Sequence, residues 1–225
     1  MATRRPRLAV VLVSLVAAIG MQAGARSMNY REQMVSQAVD ISARGAQAFD
    51  AIMNAPGQAV ARDVLLQTKA IVVFPRVVKR SIELEGNGGP GIASRYGARG
   101  WGSPVFVRGV ARAATPPIGA LSADYVLVLL KERSANGLMK KRFEPAPGSI
   151  ASFSRDSESF ATVELHGVVI TPQDELNMAV YTNTAFEMLS EHLDESVETP
   201  RGVNAFPQAL NRLLPRSGHA RKDRQ

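Results

Sequence analysis

The sequence contains no cysteine. That single absence excludes disulfides, thiolate-held zinc, a thiol nucleophile and a lipid-modified N-terminal cysteine. Histidine is scarce as well. His166, His192 and His219 are the only three, and no two of them stand at the helical spacing of a metal-binding pair. His192 stands beside Glu191 in the acidic stretch "EMLSEHLDE", which reads as a solvated face. There is no P-loop lysine, no G-x-S-x-G elbow and no internal repeat. "GNGGPG" does place Gly86, Gly88 and Gly91 in a G-x-G-x-x-G pattern. A dinucleotide site needs a helix to open there, and Pro90 followed by "GIASRYG" reads as a turn between strands instead. Glu83 and Glu85 share one strand face as edge charges, without the surroundings of a catalytic pair. Few nucleophile–base arrangements remain, and the sequence predicts no enzyme and no cofactor.

The N-terminus carries what the rest lacks, a long apolar run. Arg4, Arg5 and Arg7 precede "LAVVLVSLVAAIG", and "AGA" at Ala23 to Ala25 has the small-x-small form of a cleavage site. The run is 13 residues, short of the roughly 20 that a transmembrane helix needs. Residues 1–25 therefore read as a signal peptide cut after Ala25, with a weaker hint of twin-arginine export. The alternative is an uncleaved membrane anchor. The expected location is secreted or periplasmic, peripheral to an envelope membrane.

Charge is unevenly spread. The formal net charge is +7. Residues 1–25 contribute +3 and residues 212–225 contribute +4, so the body between them is neutral. Within it, residues 64–143 hold 13 basic and 4 acidic side chains, and residues 144–200 hold 1 and 11. A molecule with one basic surface fits this split; interleaving of the two regions in space would cancel it.

Periodicity sets the expected elements. Met28 to Ala55 reads as a helix, with Val35, Ala38, Val39, Ala46, Phe49, Ile52 and Met53 at spacings of three and four. Gly45 would weaken it by about 1 kcal/mol if exposed. Pro56-Gly57 ends it, and "AVARDVLLQT" predicts a second, shorter helix. In "KAIVVFPRVVKR", Ile71 to Phe74 are apolar on both faces and predict a central strand, while Pro75 interrupts regular pairing. "PVFVRGV", "DYVLVLL" and "FATVELHGVVI" predict further strands between glycine-rich turns. "KERSANGLMKKRF" predicts a turn or two of helix. Thr171-Pro172-Gln173-Asp174 reads as a helix start capped by Thr171. "AFPQALNRLL" predicts a short helix, and the basic end of the chain reads as disordered. The expected fold is α+β: N-terminal helices packed on an antiparallel β-barrel or sandwich of short strands, with a helix after the last strand. The expected organisation is one domain over 26–200, followed by a short helix and tail over 201–225.

The cations form three clusters: Arg76, Lys79 and Arg80; Arg95 and Arg99 around Tyr96, with Trp101; and Lys140, Lys141 and Arg142 before Phe143. Basic residues interleaved with aromatics suit an anionic membrane surface, each cation contributing about 1 kcal/mol. Nucleic acid would use the same charges, but the export signal argues against it.

The blocks "TKAIVVFPRVVK", "GWGSPVFV", "DYVLVLLKERS" and "FATVELHGVVITPQDELNMAVYT", in this order, resemble the SYLF domain family from about Ala48 to Thr182. The resemblance implies a non-catalytic lipid-binding module. Eukaryotic relatives bind phosphoinositides and, in the yeast branch, actin, which reaches this chain by analogy alone. The family has no shared catalytic residues. Its motif positions, Phe74, Pro75, Trp101, Pro104, Asp124, Gly167 and Asp174, are expected to be structural. Two blocks depart from the family pattern. "RSIELEGNGG" carries charges where relatives carry glycines, and "RFEPAPGSIASFSR" is shorter than the glycine- and alanine-rich segment usual there. The expected function is binding of anionic lipid headgroups through the basic clusters. The alternative is a protein-interaction module using the acidic 187–198 stretch or the basic tail.

Overall fold

A computed structural model describes residues 7–55, 64, 66–78, 89–97, 100–112, 122–155, 160–162, 166–190 and 199–214, with side chains from Tyr30 onward except at 78, 110–112, 161, 166 and 167. It is an α+β fold: helices on a curled antiparallel sheet, with a helix after the last strand. Helix α1 (Arg7–Met53) runs beyond the expected Met28 start. Its buried face is Ala38, Ile41, Ser42, Ala46, Phe49 and Ile52, at the predicted helical spacing. Val35, expected on that face, is exposed. Gly45 is buried rather than exposed: a Cβ there would lie 2.6 Å from Ile92 Cγ2. The glycine lets the helix approach the sheet, a gain that offsets its low helix propensity. Of the predicted second helix only Val64, Leu66, Gln67 and Thr68 are described, and Val64 and Leu66 are helical.

The strands are β1 (Ala70–Val78), β2 (Gly89–Gly97), β3 (Gly100–Trp101), β4 (Val105–Arg112), β5 (Ser122–Leu129), β6 (Ile150–Arg155), β7 (Phe160–Thr162) and β8 (His166–Pro172). Their order is β7-β6-β5-β1-β2-β4-β8, with β3 paired to β2. Strand β1 is central, as its doubly apolar run predicts, and Ile71, Val72 and Val73 are wholly buried. Gly91 lies inside β2, so the end of the glycine pattern is strand and not turn. The predicted single strand over Phe160–Ile170 is two. Strand β7 pairs with β6 and β8 with β4, at opposite ends of the order. Only residues 163–165 separate Thr162 from His166, so the two sheet ends lie within ~14 Å of each other. The sheet is therefore curled into a half-barrel, and Phe143 bridges to Ile170 across the outer side of β8.

Three more helices follow the sheet's strands in part: α2 (Glu132–Gly137), α3 (Asp174–Tyr181) and α4 (Ala185–Leu189). The predicted Thr171 cap is not made. Strand β8 continues through Pro172, the helix starts after Gln173, and no side chain caps it. Asp174 instead accepts a 2.9 Å hydrogen bond from the Ala185 amide at the start of α4. Buried Asn177 on α3 binds both backbone groups of Phe106: Oδ1 accepts from its amide at 2.8 Å and Nδ2 donates to its carbonyl at 3.1 Å. Helix α5 (Ala205–Leu213) belongs to the core. Phe206 meets Phe49 edge-on at 6.4 Å, and buried Ser42 donates to the Val203 carbonyl at 2.7 Å. The expected disordered tail lies outside the described residues.

Candidate anion-binding surface

The strand register separates the predicted clusters. Ala70, at the start of β1, pairs with Arg95 on one side and Leu129 on the other, and Leu129 pairs with Ile150. Arg95 of the second cluster and both ends of the excursion that carries the third belong to this end of the sheet, whereas Phe143, next to Arg142, bridges to Ile170 on β8. Arg76 is six residues along β1, about 20 Å away at strand rise. Lys79 and Arg80 follow it in sequence and, with Arg99, lie outside the described residues. Arg76 and Arg95 therefore stand at opposite ends of the β1–β2 pair and do not share one patch.

Arg95 is committed within the protein. Its side chain is only 13% exposed. The guanidinium donates to the Leu189 carbonyl at 3.1 Å and pairs with Glu132, joining the end of α4 to the start of α2. Trp101 is buried, not displayed as an interfacial ring. Its indole N–H donates to the Leu214 carbonyl at 3.2 Å, and its ring stands edge-on to Tyr96 at 5.3 Å. These two side chains fix where β2, β3, α4 and the end of α5 meet. Among the motif positions, Phe74, Pro75 and Pro104 are buried, Gly167 is in β8, and Asp124 accepts a hydrogen bond from the Arg76 amide. Asp174 is exposed and holds α4, as above.

The third cluster faces water. Residues 130–149 leave the sheet at Leu129 and return at Ile150, in the same row of pairs. The excursion is anchored by buried Ala135, Leu138 and Phe143, so the intervening Lys140, Lys141 and Arg142 are held outward. Lys131 and Arg133 are exposed as well. Against these five cations stand two acids, giving +3 for the excursion. Both acids are engaged: Glu132 by Arg95, and Glu144 by Arg142 at 2.7 Å. Lys140 and Lys141 have no acidic partner among the described residues.

Sequence reasoning did not single out Lys69, which is exposed at the same end. Its amide donates to the Leu129 carbonyl at 2.8 Å, which sets it beside the start of the excursion. No local pattern could reveal this, because the pairing joins residues sixty apart in sequence. The arrangement can attract anions over an extended area. Among the described residues no group of three His, Asp or Glu side chains is gathered for a metal. No family model matches the chain, and no curated protein matches it significantly.

Proposed function

We propose that this protein is a non-catalytic module that binds anionic lipid surfaces at an envelope membrane. One observation carries the reading: the excursion between β5 and β6 is pinned by apolar side chains and presents five exposed cations, of which only Arg142 is paired with one of its two acids, the other acid being held by Arg95. Cations on a fixed element meet a charged surface together and lose little conformational freedom on contact. At about 1 kcal/mol each, several acting together give useful affinity where one does not. The order of sequence blocks that resembles the SYLF family supports the same reading, as does the N-terminal export pattern. The binding surface is narrower than all three clusters: it is centred on Lys140, Lys141 and Arg142, with Lys131 and Arg133.

The test is co-sedimentation of the full-length protein with phosphatidylserine-containing and pure phosphatidylcholine vesicles at two salt concentrations. Binding is expected to anionic vesicles only and to fall with salt, since exposed charges are screened over about 10 Å at 0.1 M. Changing Lys140 and Lys141 together to Glu is expected to weaken it at least thirtyfold. Equal binding to both vesicle types, or none, overturns the lipid reading and moves the search to protein partners.

A further inference from the structure

We infer that the end of the sheet where β1 starts is the face turned to the bilayer, and that Leu66 is the apolar side chain it inserts there. This rests on the lipid reading above. Leu66 is 71% exposed, more than any other large apolar side chain among the described residues. An exposed leucine alone is ordinary. Its surroundings make this one different. Thr68 is buried, and its hydroxyl donates to the Val64 carbonyl at 3.0 Å, closing the helical turn that carries Leu66. The next residue, Lys69, is exposed and tied to Leu129. Lys131 and Arg133 follow two and four residues after Leu129 on the paired strand's exit. Leu66 thus sits in a turn fixed to the sheet at the place where the cationic excursion begins.

That combination fits the headgroup boundary of a membrane. Cations reach lipid phosphates and carboxylates, while an apolar side chain at the same level enters the acyl region. A soluble anion would reward the lysines and give nothing to Leu66. Other exposed apolar side chains stand among acids: the Tyr30 hydroxyl donates to Glu175. Phe186 is on α4 beside Glu187, and Met178 is on α3, whose first turn holds Asp174 and Glu175. The far end of β5 provides an internal control: Ser122 is exposed and pairs with Val78, seven positions along β5 from Leu129 in the Ala70 row.

The absence of cysteine makes the test direct. Leu66→Cys and Ser122→Cys each create a unique attachment point for an environment-sensitive nitrobenzoxadiazole dye on the full-length protein. With phosphatidylserine vesicles, the dye at position 66 is expected to shift to the blue and to be quenched by lipids brominated near the headgroup, and the dye at 122 to stay unchanged. Leu66→Ala is expected to weaken sedimentation with the same vesicles by roughly tenfold, with the circular dichroism of the protein unaltered. If the unlabelled protein sediments with anionic vesicles but the dye at 66 does not respond, or the dye at 122 does, the inserted side chain is wrongly assigned and the lipid reading stands. If the parent protein does not sediment, both fall.

Discussion

Asp124 Oδ1 accepts a 2.8 Å hydrogen bond from the amide of Arg76, and this bond closes a bulge in the central strand. Phe74 pairs with Tyr125 and Val77 with Ala123, so three steps along β1 match two along β5. Regular alternation would turn Arg76 to the face of Phe74 and Val77 away from it. The extra residue reverses both. Val77 is buried against Gly89 and Arg76 is exposed, with φ at 51°. Pro75, which cannot donate to a neighbouring strand, occupies the irregular step.

Removing the bond should therefore loosen the bulge. Asp124→Ala is expected to cost about 1–2 kcal/mol in urea unfolding, the usual penalty for a lost hydrogen bond to a charged partner. Arg76→Gly should keep parental stability, because glycine accepts the left-handed backbone at no steric cost. Arg76→Val should lose at least 1 kcal/mol. Equal stability of the glycine and valine variants would mean that the positive φ is not imposed.

A second prediction follows from Phe74. Its ring covers two glycines on neighbouring strands: a Cβ on Gly91 or on Gly109 would come within 2.4 Å of ring carbons. Gly109→Ala is expected to destabilise by about 1–3 kcal/mol through overpacking. Adding Phe74→Leu should recover part of that loss, so the two changes will not be additive. Additive losses would show that the ring and the glycine do not share the space.

Much of the fold was legible because its signals are local. The doubly apolar runs of β1 and β5 and the spacing of Phe49 and Ile52 in α1 each report on a single element. The rest depends on partners. Nothing in the alternation of Phe160–Ile170 shows that the strand changes neighbours after Thr162, since an alternating pattern is the same on either edge. Thr171 looks like a cap in sequence, but it is still within β8, paired with Arg108 of β4. Arg95 and Trp101 read as surface groups because Glu132 and Leu214, which engage them, are 37 and 113 residues away. The separation of Arg76 from Arg95 along the β1–β2 pair was likewise set by register, which sequence proximity does not contain.

Tyr181 is buried at the end of α3, and its hydroxyl has no hydrogen-bonding partner among the described residues. Burial pushes its pKa above the usual tyrosine range, so the group stays neutral. A buried hydroxyl without a partner has lost water and gained nothing in return. Tyr181→Phe is therefore expected to leave stability unchanged or raise it by up to about 1 kcal/mol. A loss of stability in thermal or urea unfolding would reveal a partner for the hydroxyl.

The start of α4 makes a pH prediction. Thr184 and Glu187 form a capping box: the Thr184 amide donates to Glu187 Oε2 at 2.6 Å, its hydroxyl donates to the same oxygen at 2.9 Å, and its oxygen accepts from the Glu187 amide at 3.3 Å. The backbone bond first, and the hydroxyl second, hold the carboxyl below its ordinary pKa. A folded-state pKa below the unfolded one contributes stability that is present above about pH 4.3, the free glutamate value, and is lost as pH falls through the lower folded value. Melting temperatures of the parent and of Glu187→Gln, measured from pH 6 to pH 3, are expected to converge toward the acid end, because protonation removes from the parent what the substitution removes at every pH. Thr184→Ala should flatten the difference only in part, since it removes the hydroxyl that accepts from the helix and donates to the carboxylate but keeps the backbone bond, the larger cause. Parallel curves for parent and Glu187→Gln would show that the capping carboxylate titrates alike in the folded and unfolded chains, and that α4 is held by Asp174 and by the burial of Met188 and Leu189 instead.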